Sequence, residues 1–490
     1  MNKKLSSLTR IISGLKPFIA PYKWEFLGAI LMVIISVVTM VSAPSVEGMI
    51  TTQLANDISL AERIGRLQVN FNEITKIMLI LAFIYLVKTL SQVFAVIWLT
   101  NAIQHAMQDL RNALQSKIRR LPVRYFDSHQ FGDVLSRITN DVDAISNALQ
   151  QSFVNVVTGV LTILLALTMM FRIHVLMACI AFMIIPLSLL ITVFIVRHSQ
   201  KRFKAQQDAL GALNGAITEL YTGYNEILLF NKQQESIERF RNLNENLRQN
   251  ACTAQFVSST IGPLNALVTY LTIGGVAVVG TIQIIHGNLS VGNLQAFVRY
   301  IWQVNDPLSQ ISSLSSQIQS AFAAIERVLE ILNEEEEVAE LSPAKQIEHV
   351  KGNVSFSHVR FGYGEEPLMK DLNVEVKSGQ MVAIVGPTGA GKTTLINLLL
   401  RFYDVNGGSI CIDGVDIRDM KRGELRDLFG MVLQDTWLFS GSIYDNIRYG
   451  RLDARKDEII RAAKMANVHH FIRTLPDGYH SVINEEANNI

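Results

Sequence analysis

The first two-thirds of the chain alternates long apolar runs with polar stretches, and this pattern predicts helices that cross a membrane. A spanning helix needs about 20 mostly apolar residues, because the hydrocarbon core is about 30 Å thick and a helix rises about 1.5 Å per residue. Six runs approach that length and predict six spans. They cover residues 26–44, 77–99, 154–171, 175–196, 256–285 and 294–308.

Three charged residues interrupt these runs. Lys88 lies in the second run, and Arg299 and Asp306 lie in the sixth. The sixth run is the weakest, and we count it partly because an even number of spans closes the topology. A charge inside a bilayer is costly and usually faces protein or water. These side chains therefore either line a cavity or pair and reach towards the membrane surface.

Two connections between predicted spans, residues 101–152 and 197–255, are long and polar. Such loops can be disordered, but apolar residues recur at helical spacing in the first connection, which indicates packed helices. These residues are Leu110, Leu114, Ile118 and Leu121. Two antiparallel helices of about 25 residues would extend about 37 Å beyond the membrane. We predict an all-α transmembrane domain of six helices with long cytoplasmic helical extensions over residues 1–322.

The composition changes near residue 350. We interpret residues 323–351, which include the acidic run 334–337, as a solvated linker. From residue 352, short apolar runs alternate with polar segments, as in the strands of a soluble α/β core. These runs cover residues 354–359, 372–376, 381–385 and 409–412. The pattern predicts a partial α/β domain over residues 352–490.

The overall composition agrees with a membrane protein. Of the 490 residues, 49% are hydrophobic and 18% are charged, below the roughly 25% charged residues of soluble domains. The net charge is +1, and we predict no nucleic-acid partner. The three cysteines are scattered along the chain, so no disulfide framework is indicated.

The most specific chemical pattern is the octapeptide at residues 386–393. It fits G-x-x-x-x-G-K-[ST], the Walker A or P-loop pattern, between a strand-like run and a helix-like run. Glycines let backbone N–H groups curl around a phosphate, and the helix N-terminus adds positive charge. A glycine-rich turn without a ligand is the alternative, but a chance match in a chain this long is on the order of one in a hundred.

The P-loop predicts nucleotide binding, with ATP and Mg²⁺ as cofactors. Lys392 would reach the β- and γ-phosphates, which gives it a catalytic role, and the Thr393 hydroxyl would ligate Mg²⁺. The cofactor-binding residues predicted here are Gly386, Pro387, Thr388, Gly389, Ala390, Gly391, Lys392, Thr393 and Thr394.

Further motifs resemble those of a known family. Residues 359–363 (VRFGY), 431–435 (MVLQD) and 438–450 (LFSGSIYDNIRYG), with the P-loop and six spans, resemble a half-transporter of the ATP-binding cassette (ABC) exporter type. The resemblance covers essentially the whole chain. It implies that Tyr363 stacks on adenine. It also implies that the Gln434 amide reaches Mg²⁺ or the attacking water, which gives Gln434 a catalytic and a metal-binding role.

The membrane half carries a second part of the resemblance. Residues 125–132 and 136–142 resemble the first cytoplasmic loop of these exporters, and Glu219, Gly223 and Phe230 fall where the coupling segment of the second loop is expected. Each charged residue alone would be read as a solvated helix face. The ordered set implies short helices that dock on ATPase domains and transmit their closure to the spans.

The resemblance implies ATP-driven export of a hydrophobic drug, lipid or peptide across the cytoplasmic membrane of a bacterium, by a homodimer or heterodimer of half-transporters. Because ATP is cytosolic, the C-terminal domain must be cytoplasmic, and an even number of spans places the N-terminus there too. Basic residues before the first span agree with this orientation: Lys3, Lys4, Arg10, Lys16 and Lys23. An ATP-regulated channel and a truncated, non-hydrolysing ATP-binding membrane protein are the alternatives.

The chain departs from the family pattern at its end. Residues 475–479 and 485–490 resemble the lead-in to the signature motif, of which Ile490 would be the first position. The 490 residues hold neither the rest of that motif nor the Walker B glutamate and switch histidine. In this family each ATP lies between the P-loop of one domain and the signature of the other. The expectation is a chain that binds nucleotide weakly and does not hydrolyse it.

The purified 490-residue chain is therefore expected to release no more phosphate from Mg-ATP than its Lys392→Ala variant, because the groups that complete the site are missing. A colorimetric phosphate assay in detergent measures this. Activity that Lys392→Ala abolishes would contradict the expectation.

Overall fold

The structure, a computed structural model, describes residues 13–64, 69–364, 366–432 and 437–484. The chain divides into two compact units, Met1–Glu337 and Val338–Ile490, which are described separately. The described residues of the first unit contain helices and no strand, as the apolar runs predict. The second unit contains strands and shorter helices.

Twelve α-helices build the described part of the first unit. They are α1 (Lys23–Ile64), α2 (Phe71–Ile118), α3 (Val123–Ser128), α4 (Phe131–Ser136), α5 (Val142–Asn147), α6 (Val154–Ile173), α7 (Val175–Phe182), α8 (Ile184–Thr222), α9 (Tyr224–Leu229), α10 (Gln233–Ser259), α11 (Ile261–Ile285) and α12 (Val291–Asn333). Residues 13–19 are also helical. Two π-helical turns, Arg137–Asp141 and Ala148–Phe153, and the 3₁₀ turn Ala20–Tyr22 complete this set.

Five helical stretches in the described residues are long and apolar enough to cross a membrane, and each contains one predicted run. They are Ser13–Glu62, Phe71–Ile118, Phe131–Ile173, Val175–Thr222 and Gln233–Ile285. The sixth run, residues 294–308, lies in α12 and is not among them. This helix contacts α1, α6 and α11 and buries Phe297 and Tyr300 completely. One face of α12 thus packs against protein, whereas the charged residues of the run, Arg299 and Asp306, are exposed.

The close packing of α12 against α1 depends on two glycines. A Cβ atom at Gly292 would collide with the backbone of Gly48, and one at Gly48 would collide with the backbone of Gly292. Beside this contact, the Tyr300 hydroxyl donates to the carbonyl oxygen of Val41 at 2.9 Å and lies 2.8 Å from the Ser45 hydroxyl. Small residues thus let the two backbones approach, and a buried tyrosine fixes their register.

The predicted helical extension of the first connection is confirmed. Leu110 and Leu114 are fully buried in α2, Leu121 is nearly so, and Ile118 packs against the same cluster. The cluster also includes residues of α5 and α12. Arg327 of α12 donates to both carboxylate oxygens of the buried Asp141, at 2.8 and 2.5 Å, so an ion pair joins these elements as well.

The second connection forms a hairpin of α8 and α10 with the short helix α9 at its tip. Arg239 donates two hydrogen bonds to the Glu219 carboxylate, at 3.0 and 2.9 Å, which ties the two long helices together near α9. Large apolar side chains at this tip remain exposed: Tyr221 is 80%, Leu229 79% and Phe230 69% exposed.

The second unit is built around an antiparallel sheet in the order β2-β1-β3-β4. Its strands are β1 (Val354–Phe361), β2 (Met369–Val376), β3 (Gly407–Ile412) and β4 (Val415–Asp416), and a second pair is β5 (Gly441–Ser442) and β6 (Val482–Ile483). Its helices are α13 (Lys392–Leu399), α14 (Arg422–Arg426), α15 (Ile443–Arg448), α16 (Lys456–Met465) and α17 (His469–Thr474), with 3₁₀ turns at Ile417–Asp419 and Gly478–His480. Phe356, Val359 and Leu398 lie in its core.

One predicted strand is wrong. Residues 381–385, expected as a buried strand before the P-loop, are not assigned to a strand, and Met381 and Val385 are 100% and 88% exposed. A strand requires a hydrogen-bonded neighbour, and neither described sheet pairs with this segment. The other three predicted runs lie in β1, β2 and β3.

The turn between β3 and β4 is held by one carboxylate. Asp413 adopts a left-handed backbone conformation, with φ of 47°, and accepts hydrogen bonds from the main-chain N–H groups of Asn353, Gly352 and Lys351 at 3.0, 3.1 and 2.8 Å. These bonds favour the charged form and lower the pKa of Asp413 to about 2.

We expect Gly292→Ala to lower the free energy of unfolding by about 1–3 kcal/mol, because its methyl group would overlap the Gly48 backbone. Gly274→Ala is the matched control. Its methyl group would meet no atom within 4 Å, so it should be neutral or stabilising. Thermal unfolding in detergent measures both, and equal behaviour of the two variants would contradict the packing argument.

A second prediction concerns acid. Because folding lowers the Asp413 pKa from near 3.8 to about 2, its contribution to stability is complete above the ordinary value and is lost as the pH falls towards 2. Asp413→Asn should be less stable than the parent at neutral pH, and the difference should shrink as the pH is lowered through this window. Unfolding followed by fluorescence from pH 6 to 2 tests this, and a difference independent of pH would refute it.

Candidate functional site

The P-loop lies between the exposed segment 381–385 and the first turn of α13. Gly389 and Gly391 have φ of +86° and +88°, which side-chain-bearing residues rarely adopt. A Cβ atom at Gly391 would also press on Leu368 and Met369, at 3.3 and 3.2 Å. Glycine is therefore required where the loop enters the helix, for both conformation and space.

Lys392 is the first residue of α13, and its side chain turns back over the loop. The ammonium Nζ donates to the carbonyl oxygens of Gly386 and Pro387, at 2.8 Å each. A further turn is closed by the main-chain N–H of Ala390, which donates to Pro387 at 3.2 Å. The Lys392 ammonium group thus lies within the ring of loop atoms, beside the positive end of the α13 dipole.

The two threonines after Lys392 differ in exposure. Thr393 is exposed at the N-terminus of α13, where its hydroxyl is accessible to a ligand. Thr394 is buried, and its hydroxyl accepts a hydrogen bond from the Tyr363 hydroxyl at 3.1 Å. Thr388, which is exposed with the rest of the loop, completes the predicted set.

Tyr363, predicted to stack on adenine, therefore lies beside the phosphate loop. Its ring packs edge-on against Phe361 and Tyr403, with centroid distances of 5.0 Å each, and the residue is 46% exposed. The neighbouring Gly362 is needed because a Cβ atom there would collide with the carbonyl of Glu366. The structure thus brings the predicted aromatic residue, Lys392 and Thr393 into one region of the second unit.

Gln434 lies outside the described residues, so its place relative to the P-loop is not part of this geometry. The segment that follows it is ordered by Asn446. The Asn446 side chain accepts from the main-chain N–H of Phe439 at 2.8 Å and donates to its carbonyl oxygen at 2.9 Å.

Arg401, which the sequence did not single out, supports the end of α13. Arg401 follows α13 and is only 5% exposed. It donates to the Asp404 carboxylate and to the carbonyl oxygens of Ile417, Arg418 and Met420, at 3.0 to 3.2 Å. The only sequence signal was a charged residue directly after the apolar positions of a helix.

The charged residues of the predicted spans have different surroundings. The Arg299 guanidinium lies 3.6 Å from the Glu47 carboxylate, which also accepts a hydrogen bond from the Tyr85 hydroxyl at 2.6 Å. Asp306 is exposed at the surface of α12. Lys88 lines a cavity between α1, α2 and α6. Of the two predicted alternatives, Arg299 therefore forms a pair and Lys88 lines a cavity.

Sequence comparison assigns both units. Residues 26–308 match the family described as the ABC transporter transmembrane region, and residues 369–483 match a second family described as ABC transporter. The matched ranges contain the apolar helices of the first unit and the P-loop of the second.

Individual relatives agree. The chain is 43% identical over 389 residues to a fatty acid ABC transporter ATP-binding/permease protein of Mycobacterium bovis, covering 79% of this chain and 61% of the relative. It is 36% identical over 415 residues to an uncharacterised ABC transporter ATP-binding protein of Bacillus subtilis, with coverages of 84% and 69%. It is 29% identical over 440 residues to an ATP-dependent lipid A-core flippase of Syntrophus aciditrophicus, with coverages of 90% and 73%.

The chain spans about three fifths of the length of the mycobacterial relatives that it matches, 61%. Since the transmembrane-region match alone covers more than half of the 490 residues, the chain belongs to the ABC transporter family, as a half-transporter of the exporter type.

Proposed function

We propose that this chain contributes the membrane spans and the nucleotide-binding loop of an exporter that uses ATP to move a hydrophobic drug, lipid or peptide out of a bacterial cell. The observation that carries the proposal is the P-loop geometry, in which Lys392 is held by the carbonyls of Gly386 and Pro387 next to an exposed aromatic ring. The names of two relatives, a fatty acid transporter and a lipid A-core flippase, favour a lipid-like cargo.

The described residues fit ATP and Mg²⁺. Tyr363 would hold the adenine on its exposed face, the main chain and side chains of residues 386–394 would hold the phosphates, and Thr393 would hold the metal. Gln434, which lies outside the described residues, is proposed as a further metal ligand from the family resemblance alone. The loop already has the positive-φ glycines that this requires, and a Cβ atom at Gly391 would disturb it. When bound, Mg-ATP supplies the β–γ phosphate bond whose hydrolysis drives the transport cycle.

The role of Lys392 follows from its present partners. Its ammonium group bonds two neutral carbonyl oxygens, and it would exchange these for phosphate oxygens, which form stronger, charge-assisted hydrogen bonds. The N–H groups at the start of α13 and the helix dipole add to the same positive field. With Mg-ATP bound, these groups would stabilise negative charge on the transferred phosphoryl group, which is how P-loop enzymes lower the barrier.

We propose coupling elements at the tips of the helical extensions. The exposed Leu229 and Phe230 beside α9, and Phe131 at the start of α4, which is 74% exposed, are large apolar groups at helix ends. Exposed apolar patches of this kind mark docking surfaces, and ATPase domains of a dimer are the partners that the family suggests. Two further points stay predictions: the cytoplasmic location of the termini, and the domain bounds 1–322, 323–351 and 352–490.

Nucleotide binding tests the proposal. Lys392→Ala should weaken binding of a fluorescent Mg-ATP analogue by roughly tenfold or more, because charge-assisted bonds to phosphate are lost. Lys464→Ala, at an exposed lysine of the same unit, is the control and should bind as the parent does. Tyr363→Ala should weaken binding roughly tenfold through lost stacking, whereas Tyr363→Phe keeps the ring and should bind nearly normally.

Equal binding by the parent and Lys392→Ala would refute a nucleotide site at this loop. Export is tested separately in inside-out vesicles that hold the whole transporter to which this chain contributes. ATP-dependent uptake of a lipid-like cargo supports an exporter, and a steady ion current without uptake would instead support an ATP-regulated channel.

A further inference from the structure

The first unit contains a cavity of about 200 Å³ between α1, α2 and α6. Most of its wall is aliphatic, including Ala29, Val33, Leu99 and Val157. The polar groups on the wall are Lys88, Gln92, Ser36 and Thr158. Among the described residues that line this cavity, Lys88 is the only charged one.

Lys88 has no hydrogen-bond or ion-pair partner among the residues that the structure describes. Glu47 accepts a hydrogen bond from Tyr85, one turn before Lys88 on α2, and its carboxylate lies 3.6 Å from the Arg299 guanidinium. Another lysine of the same helix shows the contrast: Lys76 pairs with Glu73 at 2.7 Å. Lys88 is therefore a cation without a counter-charge.

The position of Lys88 in the span makes its uncompensated charge unfavourable in free energy. Lys88 lies eleven residues from either end of the apolar run 77–99, which is about 16 Å along the helix in each direction. An ammonium group near the middle of a span is unfavourable unless water or an anion compensates it. Gln92, one turn further along α2, adds an amide that donates hydrogen bonds at the same wall.

The rest of the cavity suits an alkyl chain. Along α2 the wall extends from Lys88 to Leu99, about 16 Å, and along α1 it extends from Ala29 to Met40 over a similar length. We propose that this cavity binds a long-chain carboxylate, with its carboxylate on Lys88 and Gln92 and its chain along the aliphatic wall. The lysine selects against cationic amphiphiles, because two like charges would share a site of low polarity.

Binding of the carboxylate follows from the cavity alone, whereas its role as cargo rests on the proposed exporter function. The probe is radiolabelled hexadecanoate, bound to the full 490-residue chain in neutral detergent and measured by scintillation proximity. Hexadecanol, which has the same chain length and no charge, is the control for the carboxylate. Lysophosphatidate of the same chain length tests a phosphate headgroup in place of a carboxylate.

Lys88→Gln should weaken hexadecanoate binding roughly tenfold or more and leave hexadecanol binding unchanged, because only the charge-assisted bond is lost. Lys88→Arg should restore most of the affinity, and Lys76→Gln is the matched control on the same helix. Val33→Trp, which fills the cavity, should abolish binding of both probes. Removing a charge from the middle of a span does not threaten folding, and thermal unfolding checks each variant.

Unchanged hexadecanoate binding by Lys88→Gln or Val33→Trp would overturn the proposal, and so would tenfold tighter binding of lysophosphatidate by the parent. The two proposals fail separately. If hexadecanoate binds through Lys88 but ATP drives no uptake into vesicles that hold the whole transporter, the site stands and the exporter function falls. If ATP drives uptake of another cargo and Lys88 has no effect on hexadecanoate, the reverse holds.

Discussion

The first unit depends on one constraint, the absence of water for backbone hydrogen bonds inside a bilayer. A helix satisfies its N–H and C=O groups internally, so the spans must be helical, and the same helices can continue into water without a break. In α2, one helix contains both the apolar run 77–99 and the buried Leu110 and Leu114 of the extension. The span and the extension thus form one uninterrupted helix.

The same constraint explains which parts of the unit the sequence could predict. Hydropathy predicts lipid-facing spans, and five predicted runs lie in the five apolar helical stretches. The run in α12 was the weakest because it carries Arg299 and Asp306. Its contacts with α1, α6 and α11 depend on the fold, and the local pattern does not show them. The contact of Gly48 with Gly292 was likewise invisible, since two glycines 244 residues apart carry no local pattern.

In the second unit, local patterns predicted the loop and tertiary contacts decided the rest. The glycine spacing of residues 386–393 implied positive φ values, and Gly389 and Gly391 have them. The apolar pattern of residues 381–385 predicted a strand, but strand formation depends on a pairing partner, which the pattern cannot supply. The hydrogen bond from Tyr363 to Thr394 and the four acceptors around Arg401 join distant segments and had no sequence signal beyond residue type.

Each unit contains a lysine whose ammonium group must be compensated, and the two lysines differ in their partners. In the P-loop, the Lys392 ammonium donates to two carbonyl oxygens of its own loop. In the membrane, Glu47 satisfies Arg299 and Tyr85, but Lys88 has no such acceptor among the described residues. A cation without a hydrogen-bond acceptor in an apolar wall lowers the stability of the protein. Such a residue is retained where a bound ligand compensates its charge. This asymmetry between two lysines is the physical reason to assign an anion to the cavity.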